Sequence, residues 1–192
     1  MLDRVIGAFT FRSGVYAEVE RDKGFTTTAW ILVIVIAFLS QLGANASGNL
    51  SNWLIGAVVG TIVAVIGFAV GAFVIQWVGQ VVFKAEVDFG EMVRTLGLAY
   101  VWQIVGLVGI LAAFAPALAC IATPARVIAW VLGLIAWFVA TKEALDLEWV
   151  QTIVTVIIGW LVVIVITVVV GGVILGMLGL GGAVLGGLTP PA

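Results

Sequence analysis

Residues 53–94 read WLIGAVVGTIVAVIGFAVGAFVIQWVGQVVFKAEVDFGEMVR. From Trp53 to Val82 there is no Asp, Glu, Lys or Arg; then Lys84, Glu86, Asp88, Glu91 and Arg94 arrive in one short loop. About 20 apolar residues cross a hydrocarbon core roughly 30 Å thick. A stretch this long therefore spans a bilayer and must tilt or project beyond it, and the burst of charge marks where it emerges. The same alternation holds on both sides. An N-terminal cluster carries Asp3, Arg4, Arg12, Glu18, Glu20, Arg21, Asp22 and Lys23, and a third cluster carries Lys142, Glu143, Asp146 and Glu148. Only Arg126 stands outside the three clusters. Charge at every second gap between apolar stretches is the pattern of a multi-pass membrane protein with one charged and one nearly neutral face.

Composition agrees. The 192 residues are 64% hydrophobic and 9% charged, where an ordinary soluble domain is about 25% charged. With a net charge of −2 and no block of like charge, a nucleic-acid partner is not expected. Histidine is absent, which removes the commonest metal ligand and neutral-pH base. The lone Cys120 makes no intrachain disulfide or multi-thiolate metal site and reads as a small packing residue. Neither a catalytic constellation nor a cofactor or metal site is expected: the acids sit among Lys and Arg in what read as solvated loops. The tail glycines follow no strand and precede no lysine, so no phosphate loop forms.

The predicted fold is all-α, a five-span transmembrane bundle. Residues 1–27 form a cytoplasmic or interfacial arm, a broken amphipathic helix at the membrane surface interrupted near Ser13-Gly14. The membrane domain covers 28–175, with spans at about 28–44, 53–82, 95–115, 124–140 and 150–175. Pro116 ends the third span, Thr123-Pro124 reads as the hydroxyl cap and first residue of the fourth helix, and Asp146 is a candidate cap for the fifth. Residues 176–192 are a glycine-rich apolar tail, with a sixth membrane segment left open. Arg4, Arg12, Arg21, Lys23, Lys84, Arg94 and Lys142 fall on one side and Arg126 alone on the other. The excess of Lys and Arg places that side in the cytoplasm, with the C-terminus opposite, in the cell membrane.

Two sets of intramembrane residues stand out. Gly56, Gly60, Ala64, Gly67 and Gly71 share one face of the second span; small residues let helix backbones approach, within the bundle or between copies. Gln76, Gln80 and Gln103 are amides that need hydrogen-bond partners in lipid. No Asp, Glu, Lys or Arg lies near mid-span, as transporters and channels usually require.

With the spans placed, three stretches resemble a bacterial member of the Yip family, the Ypt/Rab-interacting-protein membrane domain. They are FRSGVYAEVERD (11–22), DFGEMVRTLGLAY (88–100) and TKEALDLEWVQTIVTVIIGW (141–160). The likeness covers nearly the whole chain and implies five spans, a cytoplasmic arm and no assigned reaction. A proline expected soon after Arg94–Ala99 is replaced by Val101-Trp102, which leaves a kink in the third helix open. The eukaryotic signature near the first span is absent. Eukaryotic relatives bind small GTPases in vesicle traffic, a role not carried over, because one fold hosts many functions.

The reading that follows is a non-enzymatic integral membrane protein organising lipid, protein partners or copies of itself through a cytoplasmic face that includes Arg12, Tyr16, Glu20, Lys84, Glu91, Arg94, Lys142, Glu143 and Asp146. The alternatives are a small transporter or channel lined by the three glutamines, and an accessory subunit using the glycine stripe.

Overall fold

A computed structural model describes residues 1–12 and 14–177. Among them every regular element is helical. Two short helices, α1 (Leu2–Phe9) and α2 (Val15–Arg21), form the arm. They are followed by α3 (Phe25–Ala44), α4 (Leu50–Phe83), α5 (Phe89–Ala99), a 3-10 stretch (Tyr100–Val108) and α6 (Gly109–Phe114). A short 3-10 turn (Pro116–Leu118) then leads into α7 (Ala119–Leu145) and α8 (Trp149–Met177). Four segments are long and apolar enough to cross a membrane: α3, α4, the run from α5 through α6, and α7. A further apolar segment occupies Trp149–Val165 of α8. Whether the tail beyond Met177 adds a membrane segment lies outside the described residues.

The helix ends follow local chemistry. In α4 the Asn49 side chain accepts from the Asn52 amide at 3.0 Å. Asp88 and Glu91 form a reciprocal capping box at the start of α5, which pairs two amides that the helix leaves orphaned. The chain reverses after α4 through Lys84, at φ 59°. At its 34 residues α4 is about 50 Å long, so it projects past the bilayer.

Two sequence expectations are corrected. Thr123-Pro124 does not start a helix: α7 begins at Ala119 and holds Pro124 inside it. Pro116 sets the preceding turn, so the helix is under way before Thr123. Pro124 then removes only the amide that would have met the carbonyl of Cys120, one residue into the helix. Asp146 does not cap the fifth helix; at φ 48° it ends α7. The start of α8 is served by Gln151, whose side-chain oxygen accepts from the Glu148 amide at 3.2 Å.

The centre of the bundle is α5. Every residue from Met92 to Ala99 is buried, enclosed by α2, α3, α4 and α7. Beside it Phe68 of α4 meets Trp30, Tyr100 and Trp137 edge-on, at 5.8, 5.5 and 6.0 Å between centroids. The outward face of α4 is different: Leu54, Ile55, Val58, Ile62, Val63 and Ile66 are all exposed. An apolar surface of that extent belongs in lipid.

No proline kinks the third segment. Instead the chain changes helix type for nine residues, Tyr100–Val108. This is where α3 crosses closest: a Cβ on Gly43 would sit 2.8 Å from both the Gly106 carbonyl carbon and the Leu107 Cα, and one on Gly109 would meet the Gly43 carbonyl at 2.5 Å. The narrower 3-10 coil and three glycines permit that approach.

Candidate functional site

The arm is a folded cap on the bundle. Gly7 brings α1 against α2, with the space for its Cβ only 3.0 Å from the Val15 methyl. Ala8, Val15, Tyr16 and Val19 are buried, against α5 and α7, while Leu2 and Ile6 face outward. The chain turns between the two helices through Phe11 (φ 50°) and Gly14 (φ 77°). Arg4 donates to Glu18 at 2.9 Å and Asp22 at 2.7 Å, and Arg12 donates to Asp3 at 2.7 Å and Glu18 at 3.0 Å. These pairs are exposed at one or both members, so solvent and salt screen them and each contributes little to stability. The hydrogen bond from Arg12 lowers the Asp3 carboxyl below its ordinary range, and that from Arg4 does the same for Asp22.

Arg94 fastens this cap. Its side chain is 3% exposed. Nε and Nη2 donate to the Glu20 carbonyl at 2.8 and 2.5 Å, and Nη1 donates to Thr26 Oγ1 at 3.1 Å; Glu91 lies 3.8 Å away. The last carbonyls of a helix have no partner within it, and Arg94 satisfies one at the end of α2. Tyr16 and Arg94, expected on the cytoplasmic face, are therefore internal supports of it. Among the described residues the Tyr16 hydroxyl has no hydrogen-bond partner, and burial pushes its phenol up.

Both signs of charge are exposed at this end, Asp146 and Glu148 as well as Arg21, Lys23 and Lys84. The Glu20 carboxyl is pushed up, first by burial and then by Asp146, Glu91 and Glu143, with Arg21 opposing. Acids from the arm and from both charged loops thus feel one another. Beside them Lys142 lies 5.7 Å from the Trp149 ring, and a cavity of about 540 Å³ opens between Lys142, Glu143, Asp146, Glu148 and Trp149. Lys84 and Arg12 are exposed at this end. Among the described residues no group of three or more Cys, Asp or Glu is placed to hold a metal.

The three glutamines do not line one path. Gln76 and Gln80 both donate to the Val87 carbonyl, at 3.1 and 2.8 Å, and tie the second charged loop to α4. Gln103 is exposed at the opposite end. The glycine stripe is divided too. Gly56 packs on the Asn45 side chain and Gly60 on that of Gln41, and Ala64 is partly covered, but among the described residues nothing lies within 4 Å of a Cβ at Gly67 or Gly71. Besides Gly60, tight contacts involve glycines that sequence reasoning passed over: Gly43, Gly106 and Gly109 at the α3 crossing, Gly79 against Leu145, and Gly159 against Ile75. They stand singly, without the repeated spacing that drew attention to the stripe. Cys120 is exposed rather than packed.

Residues 6–171 match the family model described as Yip1 domain. No curated protein and no solved structure matches the chain.

Proposed function

The chain belongs to the Yip1 domain family, and on that premise we propose that it is a non-enzymatic organiser whose charged end docks a protein partner presenting basic groups. It is a multi-pass membrane protein. The excess of basic residues at the charged end supports a cytoplasmic arm, and the length of α8 supports a fifth span. The observation that carries the proposal is the construction of that end: Arg94 clamps the arm onto the bundle, and a cavity of about 540 Å³ opens there between Lys142, Glu143, Asp146, Glu148 and Trp149, with Glu20 of the arm near enough to feel the charge of Asp146, Glu91 and Glu143. Arg4 and Arg12 are paired with Asp3, Glu18 and Asp22, and Arg94 is buried; outside those pairs Glu20, Glu86, Asp88, Glu91, Glu143, Asp146 and Glu148 outnumber Arg21, Lys23, Lys84 and Lys142 at this end.

Deleting the arm does not test this, because it strips Val15, Tyr16 and Val19 from the core. The test is the triple variant Glu20→Gln, Glu143→Gln, Asp146→Asn; asparagine tolerates the left-handed backbone at 146. A protein partner that cross-links to the wild-type chain in the membrane fails to cross-link to the variant, and high salt present before cross-linking lowers the wild-type yield. Undiminished cross-linking of the triple variant rejects the reading.

The accessory-subunit reading keeps one specific support: among the described residues nothing lies within 4 Å of a Cβ at Gly67 or Gly71. Gly67→Leu with Gly71→Leu then dissolves the assembly without unfolding the chain.

A further inference from the structure

We propose that the cavity at the uncharged end of the bundle binds the phosphate of a phospholipid headgroup. It is lined by Ser40, Gln103, Gly106, Thr123, Arg126 and Trp130, with a volume of about 350 Å³. That is within the range of small-ligand sites, about 300–1,000 Å³.

Arg126 is the one charge outside the three clusters. Among the described residues it has no ion pair or hydrogen bond, and no carboxylate lines the cavity. The neighbouring polar groups are equally unspent. Thr61, Thr95, Thr141, Thr152 and Thr155 turn their hydroxyls back onto helix carbonyls. Ser40, Gln103 and Thr123 make no such bond among the described residues. A guanidinium, an amide and two hydroxyls facing one space, with no acidic group, form a donor set for an oxyanion.

Depth points to the source. Across its 27 residues α7 is about 40 Å long. Centred on a core of roughly 30 Å, it places Arg126, two turns from its start, about 5 Å below the headgroup boundary. A long cationic side chain reaches up from there to the phosphate level. Trp130, one turn further in and 60% exposed, flanks the acyl chains.

The test is native mass spectrometry of the full chain in detergent, offered dioleoylphosphatidylglycerol, dioleoylglycerol or inorganic phosphate. The wild-type chain holds the phospholipid at least about tenfold more tightly than the diacylglycerol, a margin expected of hydrogen bonds to a charged group. Arg126→Gln abolishes that preference and Arg126→Lys keeps part of it. Gln103→Leu and Thr123→Val each weaken binding roughly two- to tenfold. Because Arg126 is exposed and unpartnered, the glutamine variant keeps the wild-type unfolding temperature. Equal retention of phospholipid by the wild type and Arg126→Gln overturns the proposal. Displacement of the lipid by millimolar inorganic phosphate overturns the headgroup assignment in favour of a free anion.

Discussion

Replacing Gly43 by Ala adds one methyl group at the closest helix crossing in the protein, and its effect can be worked from the geometry. The new carbon would lie 2.8 Å from the Leu107 Cα and from the Gly106 carbonyl carbon. Carbon atoms pack at about 3.5–4.0 Å. Both neighbours are backbone, so no rotamer change relieves the clash, and α3 must withdraw from the 3-10 stretch by about 1 Å. A gap of that size forfeits a quarter to a half of each contact's 0.1–0.2 kcal/mol. Over some 40 atom pairs the loss is about 1–4 kcal/mol, of the order measured for overpacked cores. Alanine returns at most about 1 kcal/mol in helix propensity. Gly43→Ala should therefore destabilise the chain by up to about 3 kcal/mol. Gly67→Ala, with nothing among the described residues within 4 Å of its Cβ, should be neutral or slightly stabilising. Denaturant titration in detergent micelles, followed by tryptophan fluorescence, compares the two. Equal stability of Gly43→Ala and the wild type would refute the close crossing and the packing role assigned to Gly106 and Gly109.

Arg94→Leu removes the clamp and leaves the Glu20 carbonyl without its donor. Losing hydrogen bonds from a charged donor costs about 1.5–3 kcal/mol, so limited trypsin should cut at Arg21 and Lys23 well before the wild-type arm is touched. Gln80→Leu alone should cost under about 1 kcal/mol, because Gln76 still serves the Val87 carbonyl; adding Gln76→Leu orphans that carbonyl at about 1–3 kcal/mol, so thermal unfolding of the two singles and the double should be non-additive. The arm's response to acid has two signs. The raised Glu20 carboxyl takes up its proton more readily folded than unfolded, so stability rises as pH falls through its folded pKa toward the ordinary value of 4.5. Asp3 and Asp22 are lowered below 3.8, and their contribution, present above that value, is lost as pH falls through their folded pKa values. Amide exchange in α1 and α2 should be slowest between those two ranges.

Placement along the chain was the legible part. The three charge clusters, the apolar runs between them and the end of the third segment before Pro116 all follow from counting charges and lengths. Contacts made by single residues were not legible. Arg94 sits in a run of mixed charge and reads as a solvated loop residue; only the fold reveals that the end of α2 lies over it. Gln76 and Gln80 were recognisable as amides in need of a partner, but their acceptor, a loop carbonyl, has no signature in side-chain types. The glycine stripe was conspicuous because it repeats, yet the closest crossing uses Gly43, Gly106 and Gly109, which come from two segments and share no period.

The nine-residue 3-10 stretch also sets the phase of everything that follows it. Each residue there advances about 2.0 Å and turns 120°, against 1.5 Å and 100° in an α-helix. Over Tyr100–Val108 the difference accumulates to roughly half a turn and 4–5 Å. Residues of α6 therefore point to nearly the opposite side from where a helical wheel drawn continuously from α5 would put them. Substitutions in 109–114 chosen from such a wheel would exchange the buried and lipid-facing positions.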